Sequence, residues 1–313
     1  MDTNTINRPL FADELPFDID TLEGVYKIYS DGSHFIGQRV LQGVSLGNKR
    51  RTVDDVDVLF NGLFYEAFYN QGLRDKKNDK ALTDYLRAGI LAVYPDQEDV
   101  DALIAEGIER KLNNLYNRKK RFRRKAYLNR WNYFVTFTYD EDKHTDEDFK
   151  AKLRKTLSNF HSRRGWRYMG VWERGEESGH LHFHALLYIP DGEMPGKLEE
   201  VDEYSTKRHR MVKRLENTFF RRRYGINDFQ PLNAVAVRYG RSIDYLLKYI
   251  GKTGERIVYS RGIPTEICKH LTGDDIITEM IDFYGKYVLF DDVIEYDDDD
   301  NVVRARYWRP IVA

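Results

Sequence analysis

The sequence predicts an α+β protein: a small antiparallel sheet with helices on one side, preceded by a mostly helical region. Three observations carry that expectation. Segments 133–139, 167–173 and 179–189 are short and rich in aromatic and β-branched residues, as strands are. The polar stretch 174–179, which contains Gly175 and Gly179, joins the second and third of these and reads as a hairpin turn. Between the first two, Phe149, Leu153, Leu157 and Phe160 recur at helical spacing over 145–163. The order strand, helix, strand, strand, helix, strand, helix fits helices flanking an antiparallel sheet rather than a doubly wound parallel one.

Taken in order, residues 1–50 read as irregular, with turn signals such as Asp31-Gly32. From about 53 to 127 the pattern is helical. Leu59, Leu63, Phe64, Ala67 and Phe68 share one stripe, and Leu103, Ile104, Ile108, Leu112 and Leu115 another, with a break at Pro95-Asp96. The last of these helices runs on into a basic segment, so one of its faces is a ladder of Arg and Lys. After the hairpin, 201–224 predicts a basic helix, 229–237 an extended piece, 241–252 a helix and 256–260 a strand. The chain thus divides into a mostly helical extension with a basic end (1–128), a sheet domain (129–265) and an acidic C-terminal segment (266–313).

With 313 residues, 41% hydrophobic and 14% aromatic, the chain has enough apolar material for a sizeable core. No stretch approaches the roughly 20 apolar residues of a membrane span, and the first residues lack the basic start and apolar centre of a signal peptide, so a soluble, cytoplasmic protein is expected. Cys268 is the only cysteine, which excludes intramolecular disulfides and Cys-rich zinc sites. The net charge of −1 hides a strong segregation. Residues 111–130 carry nine Lys/Arg and no acid, and 207–223 carry eight against Glu216 alone, whereas 274–300 carry eleven acids against Lys286 and close on Asp297-Asp298-Asp299-Asp300. Separation of this kind creates local phosphate-binding surfaces on a near-neutral protein. Arg121, Arg123 and Arg124 in the first run, and Lys207, Arg210, Arg221 and Arg222 in the second, are the candidate nucleic-acid contacts.

The densest chemical signal is Gly179-His180-Leu181-His182-Phe183-His184-Ala185, in which three of the eight histidines alternate within an apolar run. Residues two apart on a strand project from one face, so the imidazoles share a side while Leu181, Phe183 and Ala185 take the other. Histidines in register invite a shared partner, and a metal ion is the usual one. Glu173 on the neighbouring strand of the hairpin adds a carboxylate. Glu173, His182 and His184 would leave coordination positions open for phosphate oxygen and water, as Mg²⁺ or Mn²⁺ chemistry requires. His180, at the start of the strand, is expected to sit beyond the ligand set or face DNA.

A second constellation lies in Tyr245-Leu246-Leu247-Lys248-Tyr249-Ile250-Gly251-Lys252. Tyr245 and Tyr249 are four residues apart and share a helix face, as do Lys248 and Lys252. A phenol attacks phosphorus when its proton is removed, and a neighbouring ammonium favours the phenolate and holds the phosphate. Gly251-Lys252-Thr253 ends like a phosphate-binding loop, but residue 246 is Leu and the segment follows a helix, so there is no ATPase signature and no nucleotide cofactor is expected.

Together, His182-Phe183-His184, the upstream Glu173 and the Tyr-x-x-Lys helix resemble the HUH endonucleases, and more closely the rolling-circle replication initiators of small bacteriophages and plasmids. The strand Phe134-Val135-Thr136-Phe137-Thr138 is similar to that family's first motif, and the doubled tyrosine to its phage members; the resemblance spans about 130–265. It implies a ferredoxin- or RRM-like sheet and a metal-dependent strand transfer on single-stranded DNA at a replication origin. In that scheme His182, His184 and Glu173 hold Mg²⁺ or Mn²⁺, and a tyrosine forms a 5′-phosphotyrosine link and frees a 3′-hydroxyl. Tyr249 ranks first and Tyr245 second, with Lys252 and Lys248 beside them. A host helicase and polymerase, in the bacterial cytoplasm, are the implied partners, and no membrane is involved. A relaxase or transposase is the nearest alternative. A non-catalytic single-stranded nucleic-acid-binding protein would use the tyrosines and basic runs but give the histidine row no role. A small-molecule metal hydrolase would call for further ligand motifs, whereas the other histidines are scattered singly.

Overall fold

The structure is a computed structural model that describes residues 23–30, 32, 35–40, 52–74, 79–175, 179–205, 209–232, 237, 241–272, 280–282, 286–289, 293–296 and 302–306. Its centre is a five-stranded antiparallel sheet formed by β3 (Tyr133–Thr138), β4 (Arg167–Arg174), β5 (Leu181–Tyr188), β8 (Asn227–Pro231) and β9 (Val258–Tyr259), in the spatial order β8-β3-β5-β4-β9. Each strand alternates its side chains between two faces. Val135, Phe137, Trp172, Leu181, Phe183, Ala185 and Leu187 fill one face and pack against Phe149, Leu153 and Leu157 of α4 (Asp146–Arg164). Thr145 caps that helix by accepting from the Asp148 amide, and Gly165, at φ 68°, ends it in the left-handed conformation.

The opposite face is also covered, which corrects the expectation of helices on one side only. Phe122 and Ala126 of α3 (Val100–Leu128) and Ile243, Leu246, Leu247 and Ile250 of α6 (Arg241–Ile250) pack on Phe134, Met169, Val171 and Leu186. The apolar stripe of α3 therefore continues through the basic run. Its N-terminal half belongs to a helical cluster with α1 (Asp55–Tyr65) and α2 (Asp79–Val93), where Phe60, Phe64, Leu82, Leu86, Ile90 and Ile104 are buried together. The end of α1 widens into a π-helical turn, Glu66–Asn70.

Two further expectations fail. Residues 1–50 are not irregular where described: β1 (Gly24–Ser30) and β2 (Phe35–Arg39) form a second sheet with β10 (Ile267–Leu271), β11 (Met280–Asp282) and β12 (Lys286–Leu289), so segments from both ends of the chain pair with each other. Tyr26 and Ile28 alternate there as fully buried residues, over a run too short to stand out. The segment 201–224 is not one basic helix. It is the hairpin β6 (Leu198–Ser205) and β7 (Arg210–Asn217), followed by the short α5 (Thr218–Arg223). The acids of β6 face the bases of β7, with Lys213 2.7 Å from Glu200 and Arg214 paired with Glu203. Cross-strand pairs of opposite charge and the β-branched Val201 and Val212 favour the ribbon. A further hairpin, β13 (Val293–Tyr296) with β14 (Val302–Arg306), follows, and Asp297 to Asp300 lie outside the described residues. Among the described residues no helix is long and apolar enough to cross a membrane.

Candidate active site

The register of the central sheet assembles the site. Thr136 of β3 stands opposite His184, Thr138 opposite His182, and Glu173 of β4 opposite His182 on the other flank. The Thr136 hydroxyl is 3.0 Å from His184 Nδ1 and the Thr138 hydroxyl 2.7 Å from His182 Nδ1. Each ring is thereby fixed through Nδ1, which leaves Nε2 as its second functional atom. His184 Nε2 donates to Glu173 Oε2 at 2.5 Å. Burial, reinforced by His184, pushes the His182 imidazole below its ordinary pKa and keeps it neutral at pH 7. Among the described residues no three His, Cys, Asp or Glu side chains already stand at metal-ligating geometry, and Glu173 and His184 are bonded to each other.

The two tyrosines of α6 meet this row. Tyr249 is buried and stacks on His184 at 5.6 Å between ring centroids, with 16° between the planes. Burial, together with hydrogen bonds to Tyr245 and Glu173, holds its phenol well above the ordinary range. Tyr245 stands edge-on to His184 at 5.2 Å and to Tyr249 at 4.8 Å, and remains 40% exposed. Its phenol is also raised by burial, with Tyr249 and Lys252 pulling the other way and Glu173 adding to the rise. The ammonium groups of Lys248 and Lys252 lie 5.9 and 5.7 Å from the Tyr249 ring.

A cleft of about 530 Å³ opens over this face. It is lined by Thr136, Thr138, Glu173, His182, His184 and Tyr245, together with Glu203, Arg214, Ile226 and Asp228. Sequence reasoning missed Thr136, Thr138, Arg214 and Asp228. The threonines alternate along β3, a signal legible once β3 is paired with β5. Asp228 pairs with Thr136 in register, and Arg214 was hidden in the segment expected to be helical. His180 lies before β5 and pairs with Glu141 at 3.0 Å.

The basic candidates separate into two groups. Arg121 and Arg123 are exposed on α3, Arg123 at 4.0 Å from Asp244. Arg124 instead stacks its guanidinium 3.5 Å from the centroid of the Tyr29 ring. Other members of the run hold backbone: Arg118 donates to the Glu255 carbonyl at 2.8 Å, and Lys125 to that of Ile263. In the second run, Arg210 and Arg222 are exposed, whereas Arg221 is paired with Glu199 and Glu216 at 3.1 and 3.4 Å. Lys207 lies outside the described residues.

Neither the curated proteins nor the solved structures contain a match to the chain. The family model described as Replication-associated protein ORF2 matches residues 132–254, a span that begins just before β3 and ends just after the tyrosine helix. That segment, less than half of the chain, contains the histidine row, Glu173 and both tyrosines, and through it the chain is similar to a family of replication-associated proteins.

Proposed function

We propose that the protein initiates replication by nicking and rejoining single-stranded DNA at an origin, in the manner of the HUH endonucleases, through a tyrosine–phosphate intermediate. The observation that carries this reading is the cleft itself: Glu173, His182, His184 and an accessible phenol, Tyr245, which stands against the His184 ring, line one space open to a polymer strand. A pocket for a small substrate would instead enclose its ligand.

Glu173, His182 and His184 are the residues that would hold Mg²⁺ or Mn²⁺. Two imidazoles fixed through Nδ1 and one carboxylate form a donor set such ions accept, with the threonines supplying the outer support. The ion's chemistry would be to polarise a phosphoryl oxygen. The sequence ranks Tyr249 first, but exposure argues for Tyr245 as the attacking phenol, with Tyr249 orienting it from beneath. The Tyr245 oxygen bonds to phosphorus, the P–O3′ bond breaks, the phenol proton leaves and the 3′-oxygen is protonated. One phosphate ester replaces another, so rejoining is the same step reversed and requires no nucleotide. Lys252 favours the Tyr245 phenolate, and Lys248, beside the Tyr249 ring, would help hold the phosphate. Unwinding and synthesis would fall to a host helicase and polymerase.

The test is a covalent adduct with labelled single-stranded DNA in Mn²⁺, resolved under denaturing conditions. Adduct is expected from the wild type, with none from His182→Ala or from Tyr245→Phe combined with Tyr249→Phe. Tyr245→Phe alone is expected to lose more than Tyr249→Phe alone. DNA binding without adduct from any origin strand would favour the non-catalytic binding protein.

A further inference from the structure

A second cavity, of about 240 Å³, lies in the helical region that no part of the proposed reaction uses. Tyr65, Tyr69, Asn61, Asn114, Lys111 and Arg118 line it, and the lining contains two cations and no acid. Tyr65 and Tyr69 stand 5.2 Å apart with their planes tilted by 48°, and Tyr65 is 45% exposed. Tyr69 lies in the π-helical turn Glu66–Asn70 and Tyr65 immediately before it, and such turns are frequent at functional sites. Lys111 places its ammonium 5.6 Å from the Phe64 ring centroid, and burial lowers its pKa in spite of Asp57. A partly dehydrated cation beside aromatic rings and two amides suits an anion that also carries a flat ring.

The floor of the cavity is the loop that follows the tyrosine helix. Gly254 has φ +62°, and a Cβ there would come within 2.7 Å of the Tyr65 ring and 3.0 Å of the Tyr69 ring. Arg74 and Arg118 bond the carbonyls of Lys252 and Glu255 at 2.9 and 2.8 Å, while Thr253 donates to Trp172, the neighbour of Glu173, at 3.2 Å. The cavity and the candidate active site thus share one short piece of backbone.

From this juxtaposition we infer that the cavity is a nucleotide-binding subsite, in which a base stacks on Tyr65 while its phosphate meets Lys111 and Arg118. The volume lies below the ~300–1,000 Å³ of pockets for drug-sized ligands, which suits a single base with its phosphate. The ligand is a nucleotide of the DNA strand flanking the cleft, an assignment that rests on the single-stranded DNA reading above; a free nucleotide presents the same chemistry.

The experiment measures binding of fluorescein-labelled oligo(dT) and of dTMP to the full chain. Tyr65→Ala is expected to weaken oligo(dT) binding about tenfold, as for loss of one stacked base, and Tyr65→Phe to retain it. Lys111→Gln is expected to flatten the dependence of log K on log salt by about 0.7. Saturable dTMP binding that Tyr65→Ala abolishes would identify a free nucleotide as the ligand and also support the subsite. If Tyr65→Ala and Lys111→Gln bind oligo(dT) and dTMP as the wild type does, the subsite is refuted, even if adduct formation stands. A wild type that binds no single-stranded DNA refutes the proposed function, and the dTMP arm then decides the subsite alone.

Discussion

The two faces of the central sheet are built from the same strands and are finished differently. On β5, Leu181, Phe183, Ala185 and Leu187 point to α4 and are all fully buried among aromatic neighbours. The residues between them start with His182 and His184, which reach a row of hydroxyls and a carboxylate, and only from Leu186 onward does that face become apolar. Along one strand, then, every second side chain contributes to packing on one face, while the other face divides into a wet end and a dry end. Polar atoms are tolerated at the wet end because Thr136 and Thr138 serve the Nδ1 atoms, Glu173 serves His184 Nε2, and the cleft lies over them. Rigidity supplied from the apolar face allows the polar face to stay partly open.

The sharpest way to break this contrast is to truncate adjacent residues of β5. Phe183→Ala removes a fully buried ring that packs against Phe137 and Trp172, and should cost about 3–5 kcal/mol in chemical denaturation. His182→Ala, one residue away, should cost about 1 kcal/mol or less while abolishing the covalent adduct. Equal losses of stability from the two would mean that the faces are not divided as described. Gly170→Ala is the next largest effect. Its Cβ would point to the packed face and come within 2.5 Å of the Phe183 ring and 2.6 Å of the His184 carbonyl oxygen, so backbone has to move. A cost of about 2–3 kcal/mol is expected; an unperturbed melting temperature would show that this face is looser than its burial indicates.

How much of this was legible in the sequence follows the same division. Helix α4, strands β3 to β5 and helix α6 were readable because period, length and turn residues agree in each. The pairing of Glu173 with the histidine row was readable because a short polar turn fixes a hairpin. The β6–β7 ribbon was not, since a count of Lys and Arg has no period and the complementary acids lie on the opposing strand. The covering of the second face was missed because Phe122 and Ala126 sit inside the basic run, where charge conceals the apolar stripe. Burial also altered the reading of the tyrosines. The sequence ranks Tyr249 above Tyr245, whereas Tyr249 is buried and Tyr245 is the exposed one of the pair.

That basic run supplies the smallest predicted effect and a second comparison, within one helix. Arg121 and Arg123 project into solvent, whereas Arg124 lies over the Tyr29 ring and ties α3 to the second sheet. The exposed guanidinium groups give up only long contacts to meet a phosphate, Arg123 at 4.0 Å from Asp244 and Arg121 at 3.4 Å from the Asn117 carbonyl; the stacked one gives up its cation–π interaction. Neutralising Arg121 and Arg123 together should therefore leave folding within about 0.5 kcal/mol and lower the salt slope of single-stranded DNA binding by about 1.4. Arg124→Gln should do the reverse, costing about 0.5–1 kcal/mol of stability and leaving the slope near its wild-type value. If Arg124→Gln flattens the slope as much as either exposed arginine does, the whole run faces DNA and Tyr29 is not its partner in solution.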